Sequence, residues 1–260
     1  MIIPREKIPQ PIQREVRQRC GFGCVICGNP IYDYDHMVDY AKTKRHIASE
    51  LTLLCPNHHR DKTGRRIPLQ KVLDANSNPH NIKTKRSSIY KIEQFYGQEA
   101  SVILGTLNFV CQYKNIGNVV IPLLVDDVPI IMVSLIQGEL FLDLVLCDEN
   151  NIPILVIHKN ELTYKIGFWD TTFIGSTLTI RQATRKIFLQ IEFRDPNIVH
   201  VKKAKLFFNK KEFTIDNKGV KYENLNCSWH NFSIVANVGI VIGRNRQNIK
   251  GMFLVGNGEV

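Results

Sequence analysis

Gly23-Cys24-Val25-Ile26-Cys27-Gly28 and, after 27 intervening residues, Cys55-Pro56-Asn57-His58-His59 decide how the front of this 260-residue chain folds. The first pair offers two thiolates from one knuckle, the second a thiolate and an imidazole from another. Together they close a tetrahedral Zn²⁺ site. Buried free thiols would not explain why His58 stands at ligand spacing from Cys55. Cys20 competes as a ligand, but the two residues between Cys24 and Cys27 suit a knuckle better. Seven cysteines, an odd number, with four of them and five of the eight histidines in the first 100 residues, speak for metal and against a disulfide framework.

Between the two pairs lies Tyr34-Asp35-His36-Met37-Val38, which reads as an apolar-flanked strand. After them come His59, Arg60, Lys62, Arg65 and Arg66, on a helix that starts at Pro56 or Asn57. A strand pair and a helix clamped by zinc bring Asp35, His36 and His59 together. An oxygen ligand, an imidazole ligand and a second imidazole to take a proton are what a single-metal phosphodiesterase needs. His46, in the basic run Lys42-Thr-Lys-Arg-His46, reads as a surface or phosphate-contacting residue.

Cys24-x2-Cys27, Asp35-His36, Leu53-Leu54-Cys55-Pro56-Asn57-His58-His59 and Lys62 together resemble an HNH endonuclease module, the ββα-metal nuclease fold with a structural zinc. The likeness spans about residues 19–66, a quarter of the chain. It implies His36 as the general base, Asp35 and His59 on a catalytic Mg²⁺ or Mn²⁺, and Cys24, Cys27, Cys55 and His58 on the structural zinc. It implies DNA as the substrate, with RNA the lesser alternative, and Arg60, Lys62, Arg65 and Arg66 as phosphate contacts; a solvated basic helix is the plainer reading of those four. The family keeps an Asn just before the leucine run, where it orients the strand bearing the base. Here Ala48-Ser49-Glu50-Leu51 stands there instead, so Glu50 joins the catalytic candidates and the departure leaves room for weakened activity.

Composition sets the wider frame. Apolar residues make up 44%, charged residues 22% and aromatics 9%, as in an ordinary globular protein. The net charge is +10, with 17 basic against 10 acidic side chains in residues 1–100 and 17 against 14 in 101–260. A basic front half suits a polyphosphate partner. Residues 1–5 lack a signal-peptide core, and the most apolar stretch, 119–136, is broken by Pro122, Asp126, Asp127 and Pro129. The expectation is a cytoplasmic protein with no membrane partner.

Texture changes near residue 100, which predicts two domains, 1–100 and 101–260, and an α+β chain. Helices are expected over 9–19, with Ile12 and Val16 on one side, and over 87–104, with Ile89, Ile92, Phe95 and Tyr96 at helical spacing. The Pro79- and Asn81-bearing stretch 76–86 reads as a linker. Beyond it, 119–125, 130–135, 141–147, 152–158, 188–193, 199–207 and 234–242 read as strands of a sandwich, barrel or short solenoid. Cys111, Cys147 and Cys227 read as buried thiols, Trp169 and Trp229 as anchors, and His80, His158, His200 and His230 as structural. No motif after residue 100 carries chemistry, so regulation, targeting or assembly, including self-association, are the roles that fit the β-rich half. An HNH module joined to an accessory domain resembles restriction and antiviral defence proteins, a likeness of architecture alone. The rivals are a zinc-stabilised DNA-binding module that does not cut, and a nuclease silent until its β-rich half senses a ligand or partner.

Overall fold

A computed structural model describes residues 7–38, 40, 44–92, 99–112, 119–136, 139–194, 197–235, 237–244 and the backbone of 253–255. The start at 1–5, Lys42, Phe95 and Tyr96 lie outside the described residues. The chain is α+β and mostly strand. No helix among the described residues is long and apolar enough to cross a membrane.

The front of the chain builds a small core of its own. Helix α1 (Gln10–Arg19) buries Val16 and Arg17. Strands β1 (Asp33–His36) and β2 (Leu51–Leu54) pair antiparallel, with Asp35 opposite Thr52 and His36 opposite Leu51. Every residue of β2 is buried, which explains its run of leucines. Helix α2 (Pro56–Thr63) follows at once, started by a proline in the first turn, where no amide donor is needed. Helix α3 (Leu69–Ser77) adds Val72, so that Val16, Val25, Leu51, Leu53, Leu54 and Val72 share one cluster.

Two expectations are corrected here. Residues 76–86 are not a linker: they hold the end of α3 and a further helix, α4 (His80–Thr84), capped by Pro79. Asn81 is fully buried and donates from Nδ2 to the carbonyls of Gly21 (2.9 Å) and Gly28 (3.3 Å). Gly28 has φ +75°, and a Cβ there would fall 2.2 Å from Asn81 Oδ1, so only glycine serves at this end of the first knuckle. Asn81→Ala takes the side-chain donor from the Gly21 carbonyl and leaves Gly28 only the Ser88 amide at 3.2 Å, and is expected to cost about 1–3 kcal/mol, read as a fall of several degrees in Tm on a thermal scan.

Nor do the described residues of 87–104 form a helix. They include the strands Tyr90–Lys91 and Glu99–Leu104. Ala100, Val102 and Leu104 are buried with a period of two, while Ile89 is 61% exposed. The second strand is paired on both sides, by Leu107–Gln112 and by Ile198–Phe208.

The rest is strand. Two-residue turns at Asp126-Asp127, Lys159-Asn160 and Asn209-Lys210 all have positive φ at both positions, the turn that matches the twist of an antiparallel hairpin. The meander from Val119 to Tyr164 runs antiparallel throughout, as does the run from Asp170 to Trp229. Phe207 pairs antiparallel with Cys147 between the two, and three further pairings are parallel: Ile198–Phe208 lies beside Glu99–Leu104, Phe232–Val235 beside Leu107–Gln112, and Val238–Ile242 beside Val119–Val125. The single strand expected over 234–242 is thus two. The strands wrap one large core, and Leu124, Val238 and Val241 form a small cluster apart from it. Cys111 is buried in the large core and Cys147 is buried outside it, whereas Cys227 is only half-buried.

The helical front is fastened to this core by named contacts. Phe22 belongs to the β core, and its carbonyl accepts the Tyr164 hydroxyl at 2.8 Å. Arg17 donates from Nε and one terminal nitrogen to both oxygens of Asp170, each at 2.8 Å. Gln18 donates to the Trp169 carbonyl at 2.6 Å, and the Arg14 guanidinium lies 4.1 Å above the Trp169 ring.

Candidate functional site

The Cys and His pairs meet. Cys24, Cys27, Cys55 and His58 place their ligand atoms within 4.8 Å of one another. Cys27 and Cys55 sulfurs are 3.8 Å apart, and His58 Nδ1 lies 3.2 Å from Cys55 Sγ and 3.4 Å from Cys24 Sγ. A tetrahedron built on metal–sulfur and metal–nitrogen bonds of about 2.3 and 2.0 Å has edges of about 3.8 and 3.5 Å. The cluster could therefore hold a structural metal such as zinc. A hydrogen bond from the Cys27 thiol, with burial opposing it and the amides of Cys55, Cys27 and Ile26 assisting, draws Cys24 down to about 4. Cys20 stays outside the cluster, near Thr52 and Asn76.

Position 55 follows the last residue of β2 and precedes the first of α2, so the second knuckle sets the start of the helix that carries His59. On β1, residues two apart share a face; Asp33 and Asp35 both turn toward that helix. His59 Nε2 lies 3.3 Å from Asp35 Oδ1, and His59 Nδ1 4.0 Å from Asp33 Oδ2. Asp35 and His36 are both buried. They open onto a cleft of about 630 Å³ that is also lined by Tyr34, Tyr40, His59, Lys62 and Arg65.

Lys62 turns inward. Its ammonium donates to Asp35 Oδ2 at 2.5 Å and to the His36 carbonyl at 2.6 Å. Arg66 is paired with Asp61 at 2.7 Å, while Arg60 and Arg65 are exposed, Arg65 at the rim of the cleft. Glu50 is held by Arg45 rather than aimed at His36, with Arg45 donating to Oε1 at 2.5 Å. Sequence reading missed the inward turn of Lys62, the outer position of Asp33 and the proximity of His46 to His36. Only Asp33 left a signal, its two-residue spacing from Asp35 on a strand.

Of the isolated histidines, His158 is exposed and bonded to Asp143 at 2.8 Å. His200 is half-buried between Arg194 and the Gly105 carbonyl, and its burial and cationic neighbours lower its pKa. No family model, no curated protein and no solved structure matches the chain.

Proposed function

We propose that the chain is a divalent-metal-dependent DNA endonuclease of the HNH type, with a structural zinc at Cys24, Cys27, Cys55 and His58. The observation that carries this reading is the approach of His59 Nε2 to Asp35 Oδ1, 3.3 Å apart, beside His36 at the floor of an open cleft. Donors at two neighbouring positions of an octahedral ion, each about 2.1 Å from it, stand about 3.0 Å apart. Asp35 and His59 fit that requirement and would hold the cation. When bound, it would polarise the scissile phosphate and stabilise the departing 3′ oxygen. His36 takes a proton from water as the water oxygen attacks phosphorus and the bond to the 3′ oxygen breaks. Arg65, at the rim of the cleft, and the exposed Arg60 draw the phosphate backbone in without reading sequence. A role in restriction or defence against foreign DNA follows from the resemblance alone.

A second reading, a zinc-stabilised module that binds DNA without cutting it, has one observation in its favour: Lys62 already neutralises Asp35. Supercoiled plasmid incubated with Mg²⁺, Mn²⁺, Ni²⁺ or EDTA separates the two. The nuclease nicks and then linearises it with at least one metal and not in EDTA, and His36→Ala slows cutting by about 10²–10⁴-fold. Salt-sensitive binding that ignores divalent metal, with no cutting by either protein, would establish the second reading.

A further inference from the structure

Glu50 occupies the place where the resembled family has an asparagine, yet both its oxygens face Arg45, at 2.5 and 3.5 Å. It is the residue after Arg45 that reaches the base. His46 Nδ1 lies 3.2 Å from His36 Nε2. The His46 ring stacks on Tyr40, with centroids 4.9 Å apart and planes 16° from parallel. Tyr40 in turn lies 5.0 Å from the His36 ring, so three rings hold one another.

A neutral imidazole carries its proton on one nitrogen and its lone pair on the other, and the hydrogen bond made at one nitrogen decides the role of the other. A base must present a lone pair to water. With the Nε2 proton of His36 donated to His46 Nδ1, the basic nitrogen of His36 is Nδ1. With the bond reversed, that nitrogen carries the proton and accepts none.

We propose that His46 is the positioning residue of this site: it accepts the Nε2 proton of His36 on Nδ1 and so fixes both the ring and the tautomer of the base, while the Arg45–Glu50 pair anchors the segment that delivers it. The inference rests on His36 being the general base. It assigns to His46 the orienting part that the family's asparagine plays through the strand.

Steady-state cutting of plasmid by His46→Ala and His46→Asn tests it. His46→Ala is expected to lower kcat about 10–100-fold with KM, metal content and Tm unchanged. His46→Asn, whose amide oxygen is an acceptor near the place of Nδ1, recovers most of the loss. In a His36→Ala background, His46→Ala costs nothing further. A rise in KM with kcat intact would make His46 a phosphate contact, and equal loss in the two variants would remove the hydrogen bond from the account; either overturns the proposal. Nuclear magnetic resonance of ¹⁵N-histidine protein, with no substrate present, reads the same bond independently of activity. A coupling across it between His36 Nε2 and His46 Nδ1, with the proton on His36, is expected. Its absence, or a proton on His36 Nδ1, overturns the positioning role, whereas its presence in a protein that cuts nothing would fault only the nuclease reading.

Discussion

Cys55→Ser is expected to unfold the front of the chain and release its metal. The cluster around α1, β1, β2, α2 and α3 holds eleven buried apolar residues, three of them cysteines of or beside the metal site, too few to stand without a staple. A structural zinc in a small module contributes on the order of 10–16 kcal/mol at neutral pH, more than the whole stability of many domains. Cys55 is also the hinge between β2 and α2, so its loss frees His59 from Asp35. The expected result is less than stoichiometric zinc by atomic emission, rapid hydrogen exchange across Leu51–Leu54, and retained strand signal from the β-rich part. Native protection of β2 in the zinc-free variant would show that packing alone holds the module. Cys147→Ala, at the buried end of the strand Glu139–Cys147, should leave the zinc content unchanged.

The second large effect lies at Arg17. Its side chain and that of Asp170 are 4% and 5% exposed. Burial lowers the pKa of the guanidinium, but the hydrogen bond and charge of Asp170, together with Tyr34 and Tyr32, outweigh it and the net shift is upward. Arg17 also donates to the Tyr34 hydroxyl at 2.5 Å, so one side chain ties α1 to the β-rich part and to the strand bearing Asp35. Arg17→Met leaves Asp170 buried, with Arg181 3.9 Å away as its remaining cation. Removing one partner of a buried pair costs about 3–5 kcal/mol, or a fall in Tm of roughly 10 °C for a chain of this size. Arg17→Met with Asp170→Leu is expected to recover most of that, since apolar replacement of a whole buried pair is often neutral. A single variant that melts like the parent would mean that Asp170 finds water or another donor.

Much of the metal site was legible because its ligands come in local pairs three residues apart, and Pro56 marks a helix start whatever surrounds it. The hairpins after residue 119 were legible for the same reason: Asp126-Asp127 and alternating apolar residues are local signals. The remainder depends on distant partners. Arg17 and Asp170 are 153 positions apart, and nothing in either neighbourhood singles one out for the other. The parallel return of Ile198–Phe208 onto Glu99–Leu104 is equally silent. Asn81 looked like loop chemistry because its partners, the carbonyls of Gly21 and Gly28, have no side chains to announce them. His46 reads as one more polar residue in a basic run until its neighbour across ten positions is known.

Phe22 has a consequence for how a disturbance would travel. It is embedded in the β core and stands only two residues ahead of Cys24. Two peptide units span at most about 7 Å, so there is almost no slack in that tether. A shift of the β core by an ångström or two would tug the first metal knuckle directly, much as a short rope passes on a pull that a long one would absorb.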